Sequence, residues 1–236
     1  MKLKSFGCSF IFGSELADVY YEGTTLVASK STWPALLAQN LGYAYECYAR
    51  PGSGNLQIAE RVLSQAANPN ISLFVIGWTW IDRFDYKNST NDLPEDIRWK
   101  HWRTLLPSDN TPQATTYYKE LHSEFRDKLT TLMSIRLVID TLTQKGIPFI
   151  MTYMDDLMFD QEYNISPAVT ELQEYIRPHM TTFDNLSFLE WSRKNGYPET
   201  AKWHPMEKSH LEASKYIIKE KLYETKNFDY GITRLG

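Results

Sequence analysis

Short apolar runs alternate along this chain with longer segments in which apolar residues recur at helical spacing. The short runs predict strands. One of them, ISLFVIGW, is apolar throughout, which is typical of a strand covered on both faces. The predicted strands span residues 2–9, 43–49, 71–78 and 147–154, with a short fifth strand at 185–190.

The segment STWPALLAQNLG carries both the start and the stop signals of a helix. Ser31 or Thr32 can cap it and Pro34 suits its first turn, while Gly42 suits the left-handed position after its end. Other helices are predicted from one-sided apolar spacing or capping residues at 56–66, 121–142, 210–224 and from Ser166-Pro167 onwards.

This alternation predicts an α/β fold, specifically a three-layer α/β/α sandwich around a mostly parallel, flavodoxin-like sheet of about five strands. We see no linker, so residues 1–236 are expected to form a single domain. The segment 80–115 differs, because it is polar and rich in proline yet contains Trp80, Trp99 and Trp102. Long connections of this kind are usually functional, and we expect an insertion that acts as a lid or substrate wall.

Composition narrows the class of protein. The chain has 236 residues and a net charge of −4 with its Lys and Arg residues scattered, which argues against a nucleic-acid partner. It lacks an apolar run of the roughly 18 residues that span a membrane, and its N-terminus resembles a strand rather than a signal peptide. Cys8 and Cys47 are too few for a disulfide framework. A cytoplasmic protein is expected, and its oligomeric state is left open.

Polar and glycine residues follow the predicted strands where those strands end. Ser9 ends the first, Gly52 and Gly54 follow the second, and the stretch 77–79 ends the third. Because the carboxyl ends of parallel strands meet at one edge of a sheet, where ligands bind, we expect these residues to lie close together.

Four short blocks at these positions resemble those of the SGNH (GDSL-like) hydrolase superfamily. FGCSFIFG is similar to the nucleophile block, with Cys8 where the family has Asp, and RPGSGN is similar to the second block. IGWT resembles the Gly-x-Asn block with Thr79 in the Asn place, and HPMEKSH resembles the last block. Uncharacterised phage and bacterial members that begin GCSF look most similar.

The resemblance implies that Ser9 is the nucleophile and His204 the base that takes its proton. It also implies an oxyanion hole made by the N–H groups of Ser9 and Gly54, with Thr79 as a third donor. Cys8 is a rival nucleophile, but strand alternation points it away from Ser9, which favours a buried packing role.

The acid that orients the base is the main departure from the family. The family places Asp three residues before the histidine, and Ala201 occupies that position here. The site is therefore a Ser-His dyad, or another group takes the role, or the protein is a degraded, non-catalytic member. The candidates for that group are a backbone carbonyl, Glu199, Glu207, Asp155 and Asp156.

The resemblance predicts a serine esterase that cleaves a small acyl ester through an acyl-enzyme, and it implies a substrate such as an O-acetylated carbohydrate or a short lipid ester. An O-acyltransferase using the same site is one alternative. A degraded carbohydrate-binding or interaction module is another, which Ala201 and Thr79 favour. No cofactor or metal is expected, since the spacing of His204, Glu207 and His210 matches no compact zinc motif.

Overall fold

A computed structural model describes residues 1–67, 73–87 and 102–223 of the chain. The strands in this part are β1 (Lys2–Phe6), β2 (Tyr20–Glu22), β3 (Thr25–Val27), β4 (Ala44–Cys47), β5 (Leu73–Trp78), β6 (Phe84–Lys87), β7 (Trp102–Leu105) and β8 (Phe149–Tyr153). The α-helices are α1 (Ser9–Phe12), α2 (Trp33–Leu41), α3 (Asn55–Ala66), α4 (Pro112–Glu120), α5 (Glu124–Gln144), α6 (Pro167–Ile176), α7 (Phe188–Lys194) and α8 (Glu207–Ile217). Two 3-10 helices (Asp156–Met158 and Arg177–His179) and a π-helix (Ile218–Tyr223) complete the elements.

The central sheet is parallel and has the strand order β4-β1-β5-β8. Helices α3, α5 and α6 enclose one apolar core on one face of this sheet, and α2, α7 and α8 enclose a second on the other. Alternate residues of β1 divide between these cores, with Phe6 in the first and Leu3 in the second. The predicted three-layer α/β/α fold is confirmed, because strands buried on both faces need helices on both sides.

The predicted fifth strand at 185–190 is wrong, and the central sheet has four strands within the described residues. Ser187 accepts a hydrogen bond from the backbone N–H of Glu190 and so caps α7, which begins at Phe188. The chain meets the edge of β8 earlier, through a single bridge between Met151 and Met180. A side-chain cap favours a helix over a strand at this point.

The first strand also differs from its prediction. It ends at Phe6 rather than at residue 9, and Ser9 begins the one-turn helix α1. The helix predicted in STWPALLAQNLG is confirmed, since α2 has Thr32 at its N-cap position and Gly42 in the left-handed conformation at its end. The hairpin formed by β2 and β3 was not predicted.

In the described part of the segment 80–115, β6 and β7 pair as an antiparallel hairpin and α4 begins at Pro112. Phe84, Leu105, Ala114 and Tyr117 give it a small apolar cluster of its own. Its residues 88–101, which include Pro94 and Trp99, lie outside the described residues, as do residues 71–72 and the end of the predicted last helix at Glu224. Its role as a lid stays a prediction.

Among the described residues, every helix is too short or too polar to cross a membrane. The cytoplasmic location stays a prediction.

Candidate functional site

Ser9 lies at the N-terminus of α1, immediately beyond the end of β1. Its side chain is almost buried, with 7% of its surface exposed, and its hydroxyl makes no hydrogen bond to the described part of the chain. The backbone N–H groups of Phe12 and Ile11 bond to the carbonyl oxygen of Cys8, whose side chain is fully buried in the core. Cys8 is therefore a buried packing residue as predicted, although it lies beyond the end of β1 and not in the strand on which that prediction rested.

Two glycines let α1 pack closely against the ends of the strands. A Cβ atom added to Gly7 would lie 2.5 Å from Cγ1 of Ile11, and one added to Gly77 would lie 2.6 Å from the same atom. Side chains at either position would displace Ile11, and with it the single helical turn that carries Ser9. The glycines of two sequence blocks thus fix the position of the serine by leaving room for Ile11.

His204 lies in a loop that folds back on itself. The N–H of Thr200 donates to the carbonyl oxygen of His204 (2.9 Å), and the Oγ1 atom of Thr200 accepts the N–H of His204 (3.2 Å). Trp203, between them, has a positive φ of 63°. The His204 side chain is mostly buried, and its ring contacts that of Phe10, the neighbour of Ser9, at a centroid distance of 5.4 Å. The predicted base therefore lies beside the helix that carries the predicted nucleophile.

The carboxylate bonded to His204 belongs to Glu15. Its Oε2 atom lies 2.6 Å from Nδ1 of His204 and accepts the hydroxyl of Thr200 at 2.7 Å. These two hydrogen bonds, the one from His204 above all, lower the pKa of Glu15. A carboxylate can only accept, so Nδ1 of His204 donates this bond, and in the neutral ring Nε2 is the nitrogen that carries the lone pair.

Sequence analysis missed Glu15, although it lies six residues after Ser9. It follows the left-handed Gly13, which ends α1, and Glu15 itself has a positive φ of 69°. A non-glycine residue in this conformation is uncommon and is concentrated at functional sites. The sequence signal is an acid two residues after the glycine that ends this turn, whereas the four acids named from the sequence lie near the histidine or follow β8.

The four acids proposed from sequence make other contacts. Glu199 pairs with the guanidinium of Arg193 at 3.0 Å. Glu207 accepts the backbone N–H of Ala17 at 3.0 Å, and so ties α8 to the loop that contains Glu15. The other two follow β8. Asp155 accepts the N–H groups of Ile81 and Leu157, while burial and the neighbouring Glu190 raise the pKa of Asp156 to about 7.

The backbone N–H of Gly54 is already bonded. It donates to Oδ1 of Asp85 at 3.0 Å, and the N–H of Gln57 donates to Oδ2 at 2.8 Å. Asp85 also accepts the hydroxyl of Thr104 at 2.7 Å, and burial raises the pKa of this carboxyl. The hairpin thus supplies a carboxylate cap for α3, and the N–H expected in an oxyanion hole is occupied in this structure.

Thr79 is fully buried. Its backbone N–H and carbonyl both bond to the side-chain amide of Asn55, at 2.8 and 3.0 Å. Its hydroxyl oxygen has no accessible surface and no partner among the described residues. Thr79 therefore locks the end of β5 to the start of α3, and its hydroxyl does not face an open site.

His210 is buried, six residues after His204 in the chain. Its Nδ1 atom accepts the N–H of Trp33 at 3.2 Å, and its ring also bonds to the backbone of Pro205. Burial lowers its pKa to about 3, so the ring is neutral. No group of three or more His, Cys, Asp or Glu side chains in the described ranges is arranged to hold a metal ion.

A cavity of about 790 Å³ opens at the same edge of the sheet. Its walls include Phe12 of α1 and the loop 50–53 that precedes α3. Arg103 and Thr104 of the hairpin form another wall. Because Phe12 lies one helical turn after Ser9, the cavity is next to the helix that carries the predicted nucleophile.

No family model matches the sequence, and no curated protein was found to match it. Solved structures do. The psychrotrophic esterase EstA from Pseudoalteromonas sp. superposes with a TM-score of 0.53 and 8% identity, over 96% of this chain and 98% of that one. Axe2, an acetylxylan esterase from Geobacillus stearothermophilus, superposes with a TM-score of 0.52 and 14% sequence identity, over 92% of each chain. A member of the lipolytic G-D-S-L family from Veillonella parvula superposes with a TM-score of 0.50 and 12% sequence identity, over 94% of this chain and 98% of that one. At these identities the likeness establishes the fold.

Proposed function

We propose that this protein is a serine ester hydrolase in which Ser9 is the nucleophile, His204 the general base and Glu15 the acid that orients it. The observation that carries this proposal is the hydrogen bond between Glu15 and His204, on a ring that contacts the neighbour of Ser9. A carboxylate on Nδ1 fixes the tautomer that a base needs and stabilises the imidazolium formed in the reaction. The esterase fold of the solved structures supports the same conclusion.

The reaction has two steps. The Ser9 oxygen attacks the ester carbonyl while Nε2 of His204 takes its proton, and the tetrahedral intermediate collapses when that proton passes to the leaving alcohol. Water then attacks the acyl-enzyme with the same base, which releases the carboxylic acid and restores Ser9. The backbone N–H of Ser9, at the start of α1, is one donor to the developing oxyanion.

A small acyl ester on a larger alcohol is the proposed substrate, with an O-acetylated carbohydrate as the first example to test. The cavity beside Phe12 has walls that combine an aromatic ring with hydroxyl and guanidinium groups, which suits a polar alcohol component. The likeness in fold to an acetylxylan esterase agrees with this choice.

Two measurements on the purified chain test the nucleophile. A fluorophosphonate probe should label the wild type and not Ser9→Ala, and p-nitrophenyl acetate hydrolysis should be lost in both Ser9→Ala and His204→Ala. Ser31→Ala, which removes a hydroxyl that bonds to Asp18 outside the proposed triad, is the matched control and should behave as the wild type. Labelling that persists in Ser9→Ala, or hydrolysis that survives it, contradicts the proposal.

A non-catalytic binding module is the second candidate. The observations that favour it are the occupied N–H of Gly54 and the buried hydroxyl of Thr79, because an esterase needs oxyanion donors. Under this alternative the protein binds acetylated oligosaccharides equally well with and without Ser9, and wild type incubated with them releases no acetate. Acetate release that depends on Ser9 excludes it. An acyltransferase would instead move the acetyl group to an added alcohol faster than to water.

A further inference from the structure

Of the three groups predicted to bind the oxyanion, one is bonded elsewhere and another is enclosed in the protein. The N–H of Gly54 donates to Asp85, and the Thr79 hydroxyl is enclosed in the protein. Only the N–H of Ser9 remains from the predicted set. Losing one such donor typically costs about 10²–10³ in turnover, so a working esterase needs a replacement.

Arg83 is held at the same edge by two contacts. Its Nη1 atom donates to the carbonyl oxygen of Ser53 at 3.0 Å, in the loop directly before Gly54. Its guanidinium carbon lies 4.9 Å from the ring centroid of Trp80. Among the described residues these bonds use one of its five N–H donors, and the side chain is only partly buried. Its charge also acts on the neighbouring Asp82 carboxyl, where it opposes the rise in pKa that burial causes. The guanidinium is thus held in place, and four of its N–H groups donate to no other described residue.

A chain of aromatic contacts leads from Arg83 to the proposed catalytic residues. The Trp80 ring packs edge-on against Phe10, with centroids 5.4 Å apart, and Phe10 contacts His204 at the same distance. Phe10 directly follows Ser9. Arg83 therefore lies between the block that follows β4 and the block that follows β5, the two places from which the missing donors were expected.

We propose that Arg83 is a catalytic residue of this site, whose guanidinium binds the oxygen that becomes negatively charged when Ser9 attacks the ester. The inference rests on the proposed function. A guanidinium is a cation with five N–H donors and no acceptor, so it can bind an oxyanion without a proton transfer. Its contacts with Ser53 and Trp80 fix its position before the reaction, which is the condition for stabilising a transition state.

The test compares Arg83→Met and Arg83→Lys with wild type, using p-nitrophenyl acetate. We expect kcat to fall by about 10²–10³ in Arg83→Met with little change in KM. Arg83→Lys should retain part of the rate, and free guanidinium at millimolar concentration should restore part of it to Arg83→Met. Arg177→Met is the matched control, because Arg177 makes the same two kinds of contact. Its guanidinium carbon lies 4.9 Å from the ring centroid of Phe159, and its Nη2 atom donates to the carbonyl oxygen of Phe159 at 2.9 Å. It should keep the wild-type kcat.

The outcomes separate this inference from the proposed function. Ser9-dependent hydrolysis in wild type, with kcat unchanged in Arg83→Met, overturns the role of Arg83 alone. A lower kcat that coincides with a lower melting temperature and is not restored by guanidinium or by Lys also overturns it, because the role is then structural. No Ser9-dependent hydrolysis in wild type overturns both proposals.

Discussion

Nδ1 of His204 lies 2.6 Å from Oε2 of Glu15, although 189 positions separate the two residues in the chain. The loop after α1 and the loop before α8 come together at this contact, and two further bonds hold them there. Thr200 donates its hydroxyl to the same carboxylate oxygen, and Glu207 accepts the N–H of Ala17. The structure thus supplies a carboxylate to the histidine from the far end of the sequence.

Glu15→Gln should lower kcat by up to about 10⁴ while the protein stays folded. An amide can hydrogen-bond to the imidazole, but it neither enforces the same tautomer nor stabilises the imidazolium. The measurement is the steady-state hydrolysis of p-nitrophenyl acetate together with a melting curve.

Glu199→Gln is the control for that change, because Glu199 was one of the sequence-based candidates and pairs with Arg193 instead. It should keep kcat within a few-fold of wild type. If Glu199→Gln loses activity and Glu15→Gln does not, the assignment of the acid is wrong.

The stability of the protein should fall on mild acidification because of His210. Its pKa is about 3 in the folded state, against about 6.5 when unfolded, so only the unfolded chain takes up the proton between these values. The contribution of neutral His210 is therefore complete above about pH 6.5 and is lost as the pH falls towards 3. Between about pH 6.5 and 5 the loss should approach about 2 kcal/mol in the free energy of unfolding.

Urea unfolding of wild type and His210→Asn at several pH values measures this effect. The variant should be less stable at neutral pH, because its shorter side chain cannot make both bonds of the imidazole, and its stability should depend less on pH in this window. His179→Asn, which removes a half-buried histidine from a 3-10 helix, is the matched substitution control. Parallel curves for wild type and His210→Asn would contradict the assignment.

Asp85→Ala should lower the free energy of unfolding by at least about 2 kcal/mol. The change leaves the N–H groups of Gly54 and Gln57 and the hydroxyl of Thr104 without their buried acceptor. Asp109→Ala, which removes one bond to the N–H of Leu106, should cost about 1 kcal/mol or less. Equal stability of the two variants would show that Asp85 does not anchor the hairpin to α3.

Sequence patterns identified the elements that depend on local chemistry. Thr32 and Gly42 delimit α2 as predicted, and the buried runs gave the four strands of the parallel sheet. The prediction of a strand at 185–190 was wrong, because an apolar stretch this short fits either a strand or a helix, and the cap at Ser187 favours the helix. The apolar pattern also predicted a first strand that reaches Ser9, but Ser9 begins a helix.

The sequence by itself determined the α/β fold and the edge of the sheet at which Ser9, Gly54 and His204 would be found, because strand ends and glycines are local features with a fixed period. Only the tertiary structure decided which groups touch there. Hydrogen bonds across the fold paired Glu15 with His204 and Asp85 with Gly54, and no periodicity records contacts between loops so far apart. The carboxylate bonded to His204 comes from the loop after α1 because the loop before α8 folds back against it.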